Sequence, residues 1–290
     1  MRISAFRRLG AAAGVAVLGA TVLGLAAGPA SANEAKHTYY LALGDSLAAG
    51  YQTLPGGGNE VGHGYAQDIA RTLEQRMAAE GRTVSFTDLG CPGETTGSMI
   101  NGGCSYPHGF HGAQLDAAVA YLKAHHGADV TVTLDIGANN VDGCFKNGAL
   151  DTACAVNGIA TAGTDLGTIL DRLQAAAGPH TRIIGMNLYD PFLAAWMTGP
   201  QGQAMATASV PLADALNATL EHQDQAHGVP TADVAGAFST DALQPMVDLG
   251  GQQVPLNVAR IMEWTNMSRG DIHANDTGYQ VMADAFLAKI

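Results

Sequence analysis

Five short runs rich in Val, Ile, Leu and Tyr recur along the chain, at residues 37–43, 83–89, 129–136, 181–188 and 231–235. Each has strand length. Between them, segments 65–79, 113–125, 159–176, about 204–227 and 277–290 space their apolar residues three and four apart, the pattern of helices with one buried stripe. Strand and helix in repeated alternation predict βαβ units. The expected fold is therefore α/β: a three-layer α/β/α sandwich, flavodoxin-like, with about five parallel strands. The Gly-rich stretches 55–64 and 97–112 read as long loops after the first two strands, on the carboxyl edge where open α/β sheets bind ligands.

The amino-terminal pattern is different. Arg2, Arg7 and Arg8 precede an apolar run over 11–27, and Ala30-Ser31-Ala32 supplies small residues at the positions a signal peptidase reads. Residues 1–32 are expected to be a cleaved secretory signal peptide, with 33–290 as one domain and no stable membrane anchor; the residues around Arg7-Arg8 fit a twin-arginine signal poorly, and the export route, Sec or twin-arginine, stays open. Composition agrees with a folded domain: 290 residues, 47% hydrophobic and 14% charged. The net charge of −12 becomes −15 once the three leader arginines are removed, with 11 bases against 26 acids. Such a surface disfavours nucleic acid and anionic membranes, and a monomer is expected. Export makes Cys91, Cys104, Cys144 and Cys154 candidates for two disulfides, paired locally as Cys91–Cys104 and Cys144–Cys154 to staple loops poor in core. A zinc set of Cys91, Cys104, His108 and His111 fits no zinc-knuckle spacing and is set aside.

Chemistry gathers at the strand ends. The first strand ends in Gly44-Asp45-Ser46-Leu47, where Ser46 suits either a nucleophile or a helix N-cap. The second leads to Gly93, the third to Gly137-Ala138-Asn139-Asn140, and Asp271-Ile272-His273 stands before the last helix. Singly these are turn residues; together they converge on one sheet edge.

In order and spacing these residues resemble the blocks of the SGNH hydrolase (GDSL esterase and lipase) superfamily, in its secreted bacterial form. Gly44-Asp45-Ser46-Leu47 is similar to the first block, Gly93 to the second, Gly137-Ala138-Asn139-Asn140 to the third, G-x-N-D, and His273 to the last, D-x-x-H. The resemblance implies a serine esterase or lipase without cofactor or metal, acting on a lipid, small ester or acylated polymer. Ser46 is then the nucleophile and His273 its base. Backbone amides of Ser46 and Gly93 and the side chain of Asn139 form the oxyanion hole. Two positions depart from the pattern: Asn140 stands for Asp, and the acid before the histidine, Asp271, is two residues away, since Gly270 occupies the third. Asp271 is expected to orient His273, with a backbone carbonyl from 263–270 as the alternative. Phe192 and Trp196, after the fourth strand, either line an acyl pocket or pack their segment on the sheet. A non-catalytic glycan- or lipid-binding module on the same scaffold is the competing function.

Overall fold

A computed structural model describes residues 37–290, except Pro55, Pro107, His108, Asn147 and Gly148. The leader over 1–32 thus lies outside the described residues. Five parallel strands form the central sheet: β1 (His37–Gly44), β2 (Thr83–Asp88), β3 (Asp129–Asp135), β4 (Thr181–Met186) and β5 (Thr231–Ala232). Their order is β2-β1-β3-β4-β5, the flavodoxin-like arrangement, which reverses direction between β1 and β3 and opens a crevice there. The pairing register sets Gly44, the last residue of β1, opposite Asp135, the last of β3.

Nine helices follow among the described residues: α1 (Tyr65–Ala79), α2 (Thr96–Asn101), α3 (Gln114–Ala124), α4 (Asn139–Asp142), α5 (Thr152–Ala176), α6 (Pro200–Ala226), α7 (Val234–Phe238), α8 (Leu256–Trp264) and α9 (Asp276–Leu287). On one face Tyr40 of β1 stacks on Phe86 of β2, while Tyr65 of α1 stacks on Phe286 of α9. The alternate strand residues Leu41, Leu43, Val132 and Leu134 are buried, as are Leu115 and Leu122 of α3 and Leu166, Ile169, Leu170 and Leu173 of α5. Burial of each such Leu or Ile stabilises the fold by about 1.5–3 kcal/mol relative to exposure.

Three of the departures from the sequence reading have a local cause. Strand β5 ends at Ala232 because Asp233 caps α7, its carboxylate accepting the Gly236 amide. Helix α5 begins at Thr152, seven residues early, because Asp151 caps it through the Cys154 amide. Part of the presumed loop after β2 folds as α2, where Thr95 and Ser98 make a reciprocal capping box. Both local cysteine pairs are bonded, with Cα–Cα separations of 6.4 Å for Cys91–Cys104 and 5.5 Å for Cys144–Cys154. Among the described residues no helix is long and apolar enough to cross a membrane.

Candidate active site

Beyond β1 the chain makes one tight turn rather than a helix. The Ala49 amide donates to Asp45 O at 3.1 Å and the Tyr51 amide to Ser46 O at 2.9 Å, and the next helix starts only at Tyr65. Ser46 is therefore no helix N-cap. Gly44 adopts φ +139°, and a Cβ there would lie 2.0 Å from Asp135 O, so only glycine lets the two strand ends close together. The Gln114 side chain grips Gly44 on both sides, donating to its carbonyl and accepting from its amide, each at 2.8 Å. The Asp45 carboxylate accepts the Leu47 amide at 3.0 Å, which completes the turn and holds Ser46 at its apex.

The loop before α9 comes to meet this turn. Ser46 Oγ lies 2.8 Å from His273 Nε2, and His273 Nδ1 lies 2.5 Å from Asp271 Oδ1. The two-residue offset works through an Asx turn: Asp271 Oδ1 also accepts the His273 amide at 3.2 Å, which folds the carboxylate back over the ring. Its other oxygen accepts the Thr53 amide at 3.0 Å. The alternative carbonyl from 263–270 does not take this place; that segment meets His273 through backbone, the Asn266 amide donating to His273 O at 2.8 Å. Tyr51 packs on the imidazole with ring centroids 4.5 Å apart. Burial works to raise the Asp271 carboxyl, but hydrogen bonds from the His273 ring and the Thr53 amide, with the charge of His273, outweigh it and hold the pKa at about 2. An ionised Asp271 only accepts, so the ring proton sits on Nδ1 and the Nε2 lone pair faces the Ser46 hydroxyl.

The amides of Ser46 and Gly93 donate to no group among the described residues. Gly93 has φ +81°, a conformation glycine adopts freely, at the crest of the turn that carries its amide. Asn139 Nδ2 donates to Glu94 O at 2.9 Å and, more loosely, to Asp45 Oδ2 at 3.3 Å. Asn140 has a separate task. The Thr96 hydroxyl gives its proton to Asp165 at 2.8 Å, so it presents a lone pair to Asn140 Nδ2, also at 2.8 Å, while Asn140 Oδ1 accepts the Thr96 amide. An aspartate at 140 would set acceptor against acceptor, which accounts for the asparagine.

Several members of this arrangement escaped the sequence reading. Asp135, within an otherwise apolar strand, was a visible signal, because a buried carboxylate needs a partner. Its partners are Tyr65, whose hydroxyl donates to it, and Asp45. Burial and the Asp45 charge push Asp135 well above the usual carboxylate range, so it carries the proton that the pair shares. Gln114 and Tyr65 gave no such signal, being ordinary helix residues until the fold aims them.

A cavity of about 780 Å³, measured with its mouth, opens beside Ser46, Asn139 and His273. Its walls are mostly apolar, from Val141 of α4, Phe145, Ile159 of α5, Phe192 and Leu212 and Leu216 of α6. Phe145 stacks on Phe192 with centroids 3.4 Å apart. Phe192 thus lines the cavity, whereas Trp196 packs partly buried against the core.

The GDSL-like Lipase/Acylhydrolase family matches residues 42–281, from within β1 to within α9. No curated protein matches the sequence. Among solved structures, the chain is similar to the extracellular lipase from Streptomyces rimosus, at 19% identity and TM-score 0.51 over 87% of this chain and 100% of that one. It is similar to phospholipase A1 from Streptomyces albidoflavus NA297, at 19% identity and TM-score 0.51 over 87% and 99% of the two chains. It also resembles Axe2, an acetylxylan esterase from Geobacillus stearothermophilus, at 15% identity and TM-score 0.50 over 89% and 95%. At these identities the likeness is one of fold.

Proposed function

As the chain belongs to the GDSL-like lipase/acylhydrolase family and is a carboxylic ester hydrolase, we propose that it is an exported serine esterase working through an acyl-enzyme on Ser46. The observation that carries this reading is the continuous line from Asp271 through His273 to Ser46, beside two backbone amides with no partner among the described residues. Ser46 Oγ attacks the ester carbonyl as its proton passes to His273 Nε2, and the imidazolium is stabilised by Asp271. Negative charge on the tetrahedral oxygen is met by the Ser46 and Gly93 amides and by Asn139, whose looser N–H turns from Asp45 to the oxyanion. His273 then protonates the departing alcohol, and water, activated by the same ring, releases the acid. Export is supported by the leader pattern of 1–32 and by two disulfides, a chemistry of oxidising compartments. The mature domain is then 33–290.

The test is hydrolysis of short p-nitrophenyl esters by the wild type and by Ser46→Ala. The substitution is expected to lower kcat by roughly 10⁴-fold or more without change in melting temperature. Turnover that survives the substitution overturns the acyl-enzyme.

A further inference from the structure

The polar side chains that line the cavity are, with one exception, engaged by the protein itself. Asp45 accepts from Leu47 and Asn139, Asp190 from Ser209 Oγ at 2.5 Å and the Phe192 amide at 2.9 Å, and Asn217 bridges the Leu188 amide and carbonyl, each at 2.8 Å. Tyr189 donates to Ile272 O at 2.8 Å. The exception is Asp142, which lines the cavity and whose carboxyl has no hydrogen-bond partner among the described residues. Asp142 is half-buried at a mostly apolar wall, with Asp45, Asp190 and His273 as its charged neighbours, and a carboxyl so placed without a protein partner is available to a polar group on a ligand.

Its position says for what. Asp142 stands three residues after Asn139 on the single turn of α4, so both project from one side of it. In the Ser46 reading the ester's carbonyl oxygen meets Asn139, and Asp142 lines the same cavity as the apolar Phe145, Ile159 and Leu216 that would take the acyl chain. Resting on the Ser46 reading, we propose that the cavity is an acyl pocket for medium-length chains bearing a hydroxyl near their carboxyl end, and that Asp142 is the specificity-determining residue that binds it.

Titration of the same group makes selection depend on pH. Burial, with the charges of Asp45 and Asp190 and against that of His273, pushes Asp142 up to about 7. The titratable groups facing it are Asp45 from the β1 turn, Tyr189 and Asp190 after β4, and His273 before α9. Protonated, Asp142 tolerates a plain hydrocarbon chain; ionised, it repels one and still accepts a hydroxyl.

The experiment compares kcat/KM for p-nitrophenyl octanoate and 3-hydroxyoctanoate in wild type, Asp142→Asn and Asp142→Leu, with competent Ser46 counted by fluorophosphonate titration. The wild type should favour the hydroxy ester by about 10- to 100-fold at pH 8, Asp142→Asn should keep most of that preference, and Asp142→Leu should lose or invert it. Octanoate turnover relative to acetate should fall between pH 5.5 and 8.5 in the wild type, and in Asp142→Leu it should not. A ratio unmoved by Asp142→Leu at full serine titre, or a wild type that prefers plain octanoate at pH 8, overturns the proposal. If Asp142→Leu does not fold, the Asn variant and the wild-type ratio and pH profile decide. Wild type inactive on acetate as well would instead remove the esterase reading beneath it.

Discussion

Asp271 reaches His273 across an offset that looks too short because its side chain follows the local Asx turn instead of the extended chain. The three hydrogen bonds on its oxygens leave it no freedom to swing away. Asp271→Asn would place an amide against Nδ1 and favour the opposite tautomer, with a proton on Nε2 where Ser46 needs an acceptor. The expected loss is about 10³- to 10⁴-fold in kcat with little change in KM, read with a short ester at pH 8. A loss of tenfold or less would mean that the imidazole keeps its tautomer without the carboxylate. Ser46, His273 and Asp271 were legible from residue type and order; which oxygen or carbonyl would face Nδ1 was not, because it depends on side-chain torsions within one loop.

At the scale of elements, the disulfide between Cys144 and Cys154 ties the end of the α4 turn to the first turn of α5 and holds Phe145 over Phe192. Its loop is short, so the cross-link is worth up to about 3 kcal/mol in the chain-entropy account. The Cys144→Ser/Cys154→Ser double variant should lower the melting temperature by several degrees and keep the sheet. Because it loosens a wall of the cavity, it should reduce kcat/KM for octanoate at least threefold more than for acetate. Equal losses on both esters would detach Phe145 from chain binding. The sequence reading placed both bridges but took 144–154 for plain loop, since capping by Asp151 makes a helix start in residues with little apolar periodicity.

Across the whole molecule, burial raises more carboxyls than ion pairing lowers. It pushes Asp88 and Asp190 up to about 6 and Asp142 and Asp224 up to about 7, against an unfolded value of about 3.9. Between about pH 4 and 7 the folded chain therefore binds more protons than the unfolded one, and stability falls as pH rises through that window and levels off above it. The surplus of acids acts in the same direction. Asp271, depressed to about 2, contributes stability that is full above about pH 4 and is lost as pH falls toward 2. The melting temperature at pH 5 should exceed that at pH 8 by on the order of 5 °C, measured by calorimetry at constant ionic strength. A higher value at pH 8 would contradict the burial account.

The chain's own pattern was enough for the α/β class, the parallel strands, the helix over 65–79 to the residue and the candidate chemistry at the strand ends, because these follow from periodicity, turn residues and the order of short motifs. Tertiary structure alone decided the rest. The β2-β1-β3-β4-β5 order opens the crevice between β1 and β3; the pairing of Gly44 with Asp135 seats a shared proton behind Ser46; the packing of α4, α5 and α6 sets Asp142 on the wall of a mostly apolar cavity with no partner among the described residues. Each is a relation between residues far apart along the chain, set by strand pairing and side-chain packing, to which a one-dimensional pattern carries no register.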